Sequence, residues 1–227
     1  MDKIVWVISE AYSPDEAGGA YFMSKLAEGL VQYNSVNVLC GYPVYTARGT
    51  AVPKREILNR VNVERCYATM FDKNIIVLRL FNLLTISISI FFKAFQGIRK
   101  QDIVLVVTTP PLLPFLVSLA CHLRRAKCIL RIDDVYPETL IAAGLLGQRN
   151  IVARVFSFMN KILYRSFERI VVLGRDMDQL VKNKLGRSNK HVTIIPNWAD
   201  VDLVKPAPVI PGNNETSAIS HALRKLP

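Results

Sequence analysis

The chain contains few cysteines, and none are spaced as metal ligands or as a redox pair. The four cysteines among its 227 residues form no Cys-x-x-Cys motif. Cys40, Cys66 and Cys128 lie in apolar runs, where a free thiol behaves as a small hydrophobic side chain. The pattern argues against a zinc site, and it is typical of a protein in a reducing compartment. We therefore predict no metal site.

Two further absences narrow the choice of partner. No Gly-x-Gly-x-x-Gly motif follows a predicted strand, which argues against a dinucleotide cofactor. The 29 lysines and arginines outnumber the 18 acidic residues and give a formal charge of +11, which favours an anionic partner. The basic residues are nevertheless scattered, with neither zinc-finger spacing nor an RNP-like aromatic motif, so we predict no nucleic acid partner.

The first residues do not resemble a signal peptide. Met1-Asp2-Lys3 leads directly into a short apolar run, without the longer apolar core and small-residue cleavage site of a secreted protein. We therefore expect a cytoplasmic location. Because 51% of the residues are hydrophobic, the chain can bury a sizeable core, and a folded domain is expected rather than disorder.

Short apolar runs alternate with helical patterns along the chain. Strands are predicted at residues 4–9, 36–40, 61–67, 103–107, 128–132, 170–173 and 191–195. Helices are predicted at residues 20–33, 74–100, 112–124, 151–167 and 175–184, and residues 41–60 are predicted to form a long loop. The alternation indicates an α/β fold, a Rossmann-like doubly wound parallel sheet with right-handed crossovers.

Four segments carry a resemblance to a known family. They read Tyr-Ser-Pro-Asp-Glu-Ala-Gly-Gly at 12–19, Val-Val-Thr-Thr-Pro-Pro-Leu at 106–112, Arg-Ile-Asp-Asp-Val-Tyr-Pro-Glu at 131–138, and Ile-Val-Val-Leu at 170–173 with Ile-Ile-Pro-Asn-Trp-Ala-Asp at 194–200. In this order they resemble glycosyltransferase family 4, particularly its bacterial branch that adds sugars to lipid-linked or surface glycans. The likeness covers residues 3–206. The sequence departs from the family at Trp198, where Gly is frequent, and at Asp133, where Arg is usual.

The resemblance implies half of a GT-B fold. Such proteins have two Rossmann-like domains that face a cleft; the N-terminal domain binds the acceptor, and the C-terminal domain binds the nucleotide sugar through a Glu-x7-Glu pair. We expect residues 1–204 to form the acceptor-side domain and residues 205–227 to form a linker into a donor domain that this chain lacks. Glu56 and Glu64 have the spacing of the glutamate pair, but they lie in the N-terminal half and match by chance.

The resemblance also implies a reaction. A hexose or N-acetylhexosamine passes from a nucleoside diphosphate sugar to a hydroxyl of a lipid-linked or polysaccharide acceptor, with retention and without a metal or other cofactor. Because the donor half is absent, this chain alone is expected to be inactive.

Candidate site residues lie where predicted strands end, since ligands of parallel sheets bind at the carboxyl ends of strands. Gly18 and Gly19 precede the first helix, where backbone N–H groups bind anions, although an ordinary strand–helix turn has the same composition. Asp134 matches the family's aspartate and is the catalytic candidate, because a carboxylate there can orient or deprotonate an acceptor hydroxyl. Asp133 lies beside it. Glu138 is a substrate-binding candidate whose position after Pro137 also suits a helix start.

Five more candidates follow other strand ends. Glu10, Tyr12, Thr108 and Thr109 are expected to line the cleft, with solvated loop as an equal alternative. Asn197 follows Pro196 near the expected hinge, where its amide can bind a ligand or simply form a turn.

The helix predicted at residues 74–100 is almost long and apolar enough to span a membrane. A spanning helix does not fit, because the next strand must return to the sheet. Two alternatives remain: a helix buried in the domain, or an interfacial helix on the bilayer with basic residues near lipid headgroups. The charge of +11 favours peripheral contact with an anionic membrane, at the inner face of the plasma membrane.

Two other functions stay open. The chain can be a non-catalytic acceptor-binding module or one half of a split enzyme with a separate donor-domain polypeptide. It can also be a Rossmann-type enzyme of another class, such as a nucleotide-sugar epimerase, although the missing glycine motif argues against this.

Overall fold

The computed structural model describes residues 3–16, 18–44, 47, 49–72, 74–144, 146–147, 150–186 and 191–199. It contains a compact unit, Met1–Pro196, followed by a second unit, Asn197–Pro227, of which only the first three residues are described. Residues 200–227 lie outside the described residues. The domain boundary at residue 204 and the linker at 205–227 therefore stay predictions.

Eight strands and six helices make up the described part of the first unit. The strands are β1 Ile4–Ile8, β2 Ser35–Cys40, β3 Arg55–Leu58, β4 Val61–Arg65, β5 Ile103–Val107, β6 Lys127–Ile132, β7 Arg169–Val172 and β8 His191–Ile194. The helices are α1 Gly18–Leu30, α2 Ile76–Gly97, α3 Leu113–Arg124, α4 Glu138–Ala142, α5 Ile151–Ser166 and α6 Arg175–Leu185.

All eight strands join one sheet in the order β3-β4-β2-β1-β5-β6-β7-β8, and every neighbouring pair except β3 and β4 is parallel. The predicted α/β class and doubly wound sheet are confirmed. The predictions of a strictly parallel sheet and of a long loop at 41–60 were wrong in one respect. Strand β3 lies within that range and forms an antiparallel edge hairpin with β4. Its turn residues, Asn59 and Arg60, both have positive φ, as a two-residue hairpin turn requires.

The sheet separates two cores of buried apolar side chains. One core contains α1 residues such as Met23 and Ala27 against β1, β2 and β4. The other core is larger and contains residues of α2, α3, α5 and α6 against β1 and β5–β7. The near-continuous Val, Ile and Leu content of the central strands follows from this burial on both faces. The four cysteines are buried free thiols.

The long apolar helix α2 divides into two halves. Ile86, Ser87, Ile90 and Ala94, in its C-terminal half, are buried against the sheet. Its N-terminal half is exposed, and Ile76 keeps 74% of its surface in water. Its length and mean hydropathy of 1.8 would suit a membrane span, and only 17% of its most apolar window is buried within the domain. The helix runs between β4 and β5 of one sheet, which agrees with the expectation that it does not span.

Candidate active site

The strand order reverses direction at β1, which pairs with β2 on one side and β5 on the other. Chain connections leave in opposite directions from this pair, and the crevice beyond the carboxyl ends of such strands is where open α/β sheets bind ligands. The loops after Ile8, Val107 and Ile132 meet at this edge. They carry seven of the candidates predicted from the sequence: Glu10, Tyr12, Thr108, Thr109, Asp133, Asp134 and Glu138.

Thr108 joins the ends of β5 and β6. Its side chain is buried, and its Oγ1 accepts hydrogen bonds from the backbone N–H groups of Asp133 and Asp134, both at 3.1 Å. The hydroxyl therefore fixes the backbone on which the two carboxylates stand. The sequence predicted Thr108 as a ligand-lining residue. In the structure its hydroxyl oxygen accepts hydrogen bonds from the loop backbone.

Asp133 is paired with an arginine of its own strand. Arg131 Nε donates to Asp133 Oδ1 at 2.9 Å, and the same guanidinium lies 5.9 Å from the ring centre of Phe22 on α1. Burial raises the pKa of Asp133, while the charge and hydrogen bond of Arg131 oppose the increase. An arginine inside an apolar strand needs a carboxylate partner, and the i+2 spacing is the signal that could have paired them from sequence.

Asp134 forms a second pair, with Tyr136. Burial raises the pKa of the Tyr136 hydroxyl, and the charge of Asp134 and a hydrogen bond with it raise the pKa further. Thr109 also bonds the tyrosine, and the positive charge of Arg79 on α2 acts on it in the opposite direction. Asp134 and Thr109 stay partly exposed. The structure therefore brings two predicted candidates together around a tyrosine that sequence reasoning did not select.

Glu138 is the first residue of α4, and its carboxylate is engaged with Lys184 of α6 at 2.7 Å. Lys184 also donates to the backbone oxygen of Tyr136 at 3.3 Å, and Asn160 Nδ2 donates to the same oxygen at 2.6 Å. These bonds hold the segment 134–138 against α5 and α6. Glu138 thus supports the loop geometry in this structure, and its binding of substrate stays a prediction.

Gly18 and Gly19 are exposed at the start of α1, and a Cβ at either position would meet open space. No close contact therefore requires glycine there, and their anion-binding role stays a prediction. Glu10 is partly exposed after β1, and its backbone oxygen accepts a hydrogen bond from Gly41 at 2.8 Å.

One other candidate is placed differently from expectation. Tyr12, expected in the cleft, is 3% exposed within the α1-side core, and its side chain hydrogen-bonds Ser24. Burial raises the pKa of its hydroxyl. The aromatic ring packs with the apolar side of α1, because burying the ring removes a large apolar area from water. Asn197 begins the second unit, so its distance from the strand ends is not part of the described geometry.

Sequence reasoning missed a second polar cluster on the other side of β1. Asp15 is buried, and its carboxylate accepts from the backbone N–H groups of Val44 at 2.9 Å and Ala47 at 3.0 Å. Arg65, the largest fully buried side chain, donates to the Ser13 oxygen at 2.8 Å and the Pro53 oxygen at 3.0 Å. The sequence did contain a signal for this cluster, because Arg65 ends a strand of alternating apolar and polar residues.

Among the described residues, no group of three or more His, Cys, Asp or Glu side chains could hold a metal ion. The carboxylates at the strand ends are instead paired with protein groups. The chemistry that the arrangement offers is proton transfer and hydrogen bonding from Asp134, Tyr136 and Thr109.

Comparison with known proteins connects this geometry to an activity. No protein-family model matches the chain. The chain is 36% identical over 110 residues to the probable glycosyltransferase WbjE of Pseudomonas aeruginosa, a match that covers 48% of this chain and 27% of that protein.

Solved structures share the fold. Sucrose-phosphate synthase from Thermosynechococcus elongatus superposes with a TM-score of 0.65 at 14% identity, over 99% of this chain and 53% of its own length. The Anabaena protein HepE, in complex with UDP, superposes with a TM-score of 0.50 at 13% identity, over 98% of this chain and 50% of its own length. The chain thus spans about a quarter of the curated relative and about half of each solved structure. It is a homologue of glycosyltransferases, with the Rossmann-like α/β fold of the GT-B type.

Proposed function

We propose that this chain is the acceptor-side half of a glycosyltransferase that moves a hexose or N-acetylhexosamine from a nucleoside diphosphate sugar to a hydroxyl group of a lipid-linked or polysaccharide acceptor. The observation that carries the proposal is the meeting of Asp134, Tyr136 and Thr109 at the carboxyl ends of β5 and β6, beside the point where the strand order reverses. Homology to a glycosyltransferase supports the reaction class and favours it over that of a nucleotide-sugar epimerase.

Asp134 is the residue that acts on the acceptor. Its carboxylate orients the attacking hydroxyl and accepts its proton as the new glycosidic bond forms, a role suited to a partly exposed carboxylate at a strand end. In the same step the bond between the sugar and the diphosphate breaks, and the nucleoside diphosphate leaves. Tyr136 holds that carboxylate by a hydrogen bond, and Thr108 fixes the backbone beneath it. Positioning of this kind matters because small displacements of a catalytic group are costly in rate.

The donor is a nucleoside diphosphate sugar. HepE, which shares the fold, was solved with UDP, and this supports a nucleoside diphosphate as part of the donor. Gly18 and Gly19 present backbone N–H groups at the start of α1 to the donor's phosphates or to the transferred sugar. Retention, independence of metal ions and the absence of another cofactor rest on the family resemblance.

The other half of the active site comes from a donor-binding domain, either in the same polypeptide or in a separate one. The chain spans about half of the sucrose-phosphate synthase structure of 53% coverage and of HepE, and this supports the requirement for a second half. We therefore propose that transfer requires the donor-binding domain in addition to these 227 residues. We place the protein in the cytoplasm, in peripheral contact through α2 with the anionic inner face of the plasma membrane.

The test is a transfer assay with a panel of UDP- and GDP-sugars and a polyprenyl-diphosphate-sugar acceptor. The chain is assayed alone and together with a polypeptide that supplies the donor domain, with and without EDTA. Transfer that requires the second polypeptide and survives EDTA is the expected result. Acceptor binding without transfer in any combination would favour a binding module. The absence of both binding and transfer would overturn the proposal.

A further inference from the structure

One side of the sheet carries a layer of helices whose outer surface remains apolar. The layer consists of α2, α3, α5 and α6, and in the first three, large apolar side chains point outward. On α5 these are Ile151, Val152, Val155, Phe158, Met159 and Ile162, of which Ile151 is 76% exposed. The contact between α3 and both α2 and α5 makes their outer faces neighbours on one surface.

The exposed apolar residues of α5 form a stripe along the helix. Ile151, Val155, Phe158 and Ile162 follow one another at intervals of three or four residues, so they stand on the same side of a helix with 3.6 residues per turn. The opposite side is the one that packs on the domain, through Ala153, Asn160, Leu163 and Tyr164. The stripe is therefore not the core face of the helix, which already has its partner.

Positive charge accompanies the stripe without any negative charge. Arg154, Lys161 and Arg165 are exposed along one edge of the α5 stripe, again at helical spacing. The three helices α2, α3 and α5 contain six lysines and arginines and no aspartate or glutamate. By contrast, α1 and α6 carry acidic residues, Glu28 on α1 and Asp176 and Asp178 on α6.

A groove of this surface is largely apolar, with Glu168 among its lining residues. A cavity of about 650 Å³ lies between α3 and α5, and Phe115, Leu119, Met159 and Ile162 are among its lining residues. Beside α2, exposed side chains of the preceding loop, including Met70 and Phe71, extend the apolar surface. Asn82 holds that loop in place by exchanging hydrogen bonds with the backbone of Phe71.

We propose that α5, together with α2 and α3, forms a membrane-docking surface that lies flat on an anionic lipid bilayer. An apolar stripe flanked by lysines and arginines suits the boundary between acyl chains and headgroups, because the apolar side chains enter the acyl region and the cations reach anionic headgroups. The proposal extends the peripheral contact of α2 proposed above to a second helix, and it does not depend on the glycosyl-transfer chemistry.

Charge complementarity selects the bilayer over a second copy of the chain. Two copies meeting through the α5 stripe would bring Arg154, Lys161 and Arg165 of each chain together with no carboxylate from α5 to balance them, and like charges oppose such an interface. An anionic bilayer supplies the missing negative charge. Insertion of α2 across the membrane is also disfavoured, because Ile86, Ile90 and Ala94 are part of the core.

The experiment is co-sedimentation of the full chain with vesicles of phosphatidylglycerol and phosphatidylethanolamine, and with neutral phosphatidylcholine vesicles. The α5 charge variant is R154Q/K161Q/R165Q, and its matched control is K3Q/K25Q/K54Q, which removes three exposed cations outside the helix layer. We expect the α5 variant to partition about 100-fold less onto anionic vesicles, since each of the three cations near an anionic surface contributes roughly fivefold. The control should change partitioning less than about threefold, and 0.5 M salt should weaken wild-type binding.

A second pair of variants tests the apolar part, V155S/F158S on α5 and I76S/L80S on α2. Both should weaken partitioning about tenfold or more. If only the α2 variant lost binding and V155S/F158S bound normally, the α2 contact would be supported and the α5 proposal would be overturned. Equal losses in the α5 charge variant and its control would overturn it too, as would a wild-type dimer in light scattering that V155S/F158S dissociates. Transfer to a water-soluble acceptor by the complete enzyme, unchanged in all α5 variants, separates this proposal from the proposed reaction.

Discussion

Two polar clusters lie at the carboxyl ends of the strands, and they differ in how far they are closed to solvent. On the β2–β4 side, Asp15 and Arg65 are buried, and they bond backbone groups of the loops around them. On the β5–β6 side, Thr108 is buried in the same manner, but the side chains of Asp134 and Thr109 remain partly exposed. The first cluster holds loops together, whereas the second presents oxygens that a substrate can reach.

The difference shows why a buried charge by itself is a poor indicator of a site. Arg65 and Asp15 are as polar as any residue in the sequence motifs. Each nevertheless forms hydrogen bonds with backbone groups of the protein. Because a buried polar group must find a partner, pairing with backbone groups in the interior indicates a structural role, and a partly exposed carboxylate beside a strand end indicates a chemical one. Four substitutions test this contrast.

The largest effect is expected for Arg65→Leu. The substitution leaves the carbonyl oxygens of Ser13 and Pro53 and the carboxylate of Glu56 without their buried partner, which costs about 3–5 kcal/mol of unfolding free energy. Urea unfolding followed by circular dichroism measures the loss. The matched variant Arg55→Leu, at an exposed arginine of β3, should cost less than about 1 kcal/mol. Similar losses in the two variants would contradict the structural role of Arg65.

The second expected effect is on rate rather than stability. Asp134→Asn removes the proton acceptor while keeping the side chain's shape, so kcat/KM of the complete enzyme should fall about 100- to 1000-fold. Steady-state transfer assays measure it. Asp72→Asn, at an exposed carboxylate, is the control and should keep the wild-type rate. A loss of folding stability that accounts for the loss of rate would show that Asp134 is structural.

Thr108→Val tests whether the second cluster depends on its buried hydroxyl. Valine keeps the shape but leaves the N–H groups of Asp133 and Asp134 without an acceptor, which should cost about 1–3 kcal/mol of unfolding free energy. Thr108→Ser, which keeps the oxygen, should restore most of the stability. The measurement is again urea unfolding, and an unchanged stability in the valine variant would remove Thr108 from the cluster.

The smallest effect is a pH-dependent one at Glu64 of β4. Burial raises the pKa of Glu64, but hydrogen bonds and charges of Lys93 and Arg55 outweigh it and lower the pKa below 4.5. A lowered carboxyl pKa means that the ionised form stabilises the fold above pH 4.5, and this contribution is lost as the pH falls through the lowered pKa. Glu64→Gln should therefore cost about 0.5–1 kcal/mol at pH 7 and less at pH 3. An equal cost at both pH values would contradict the ion pair.

Much of the fold could be predicted because the central strands are buried on both faces. Runs such as residues 103–107 are apolar enough to identify, and every predicted strand begins and ends within two residues of the observed one. The edge strand β3 was missed because Arg55–Leu58 is short and half exposed. Its turn gave no signal either, since Asn59-Arg60 lacks the glycine that usually marks such a turn.

The candidate site was predicted only in part. Residues that follow strands were identified, because the position of a residue after a strand is visible in the sequence. The sequence did not show which of these side chains point into the crevice. Tyr12 turns into the core and Asn197 begins another unit, while Tyr136 joins Asp134 although no pattern distinguishes it from its neighbours.

The sequence by itself determined the alternation of elements, the class of fold, the resemblance to glycosyltransferases and the stretch of apolar residues in α2. These properties depend on residue order and hydrophobic period, which are local. Only the tertiary structure decided that Thr108 carries the backbone of Asp133 and Asp134, that Glu138 is engaged with Lys184, and that α5 exposes a second apolar stripe. Such facts depend on which elements pack together, because a side chain's partners and its exposure are set by contacts between residues that are distant in the sequence.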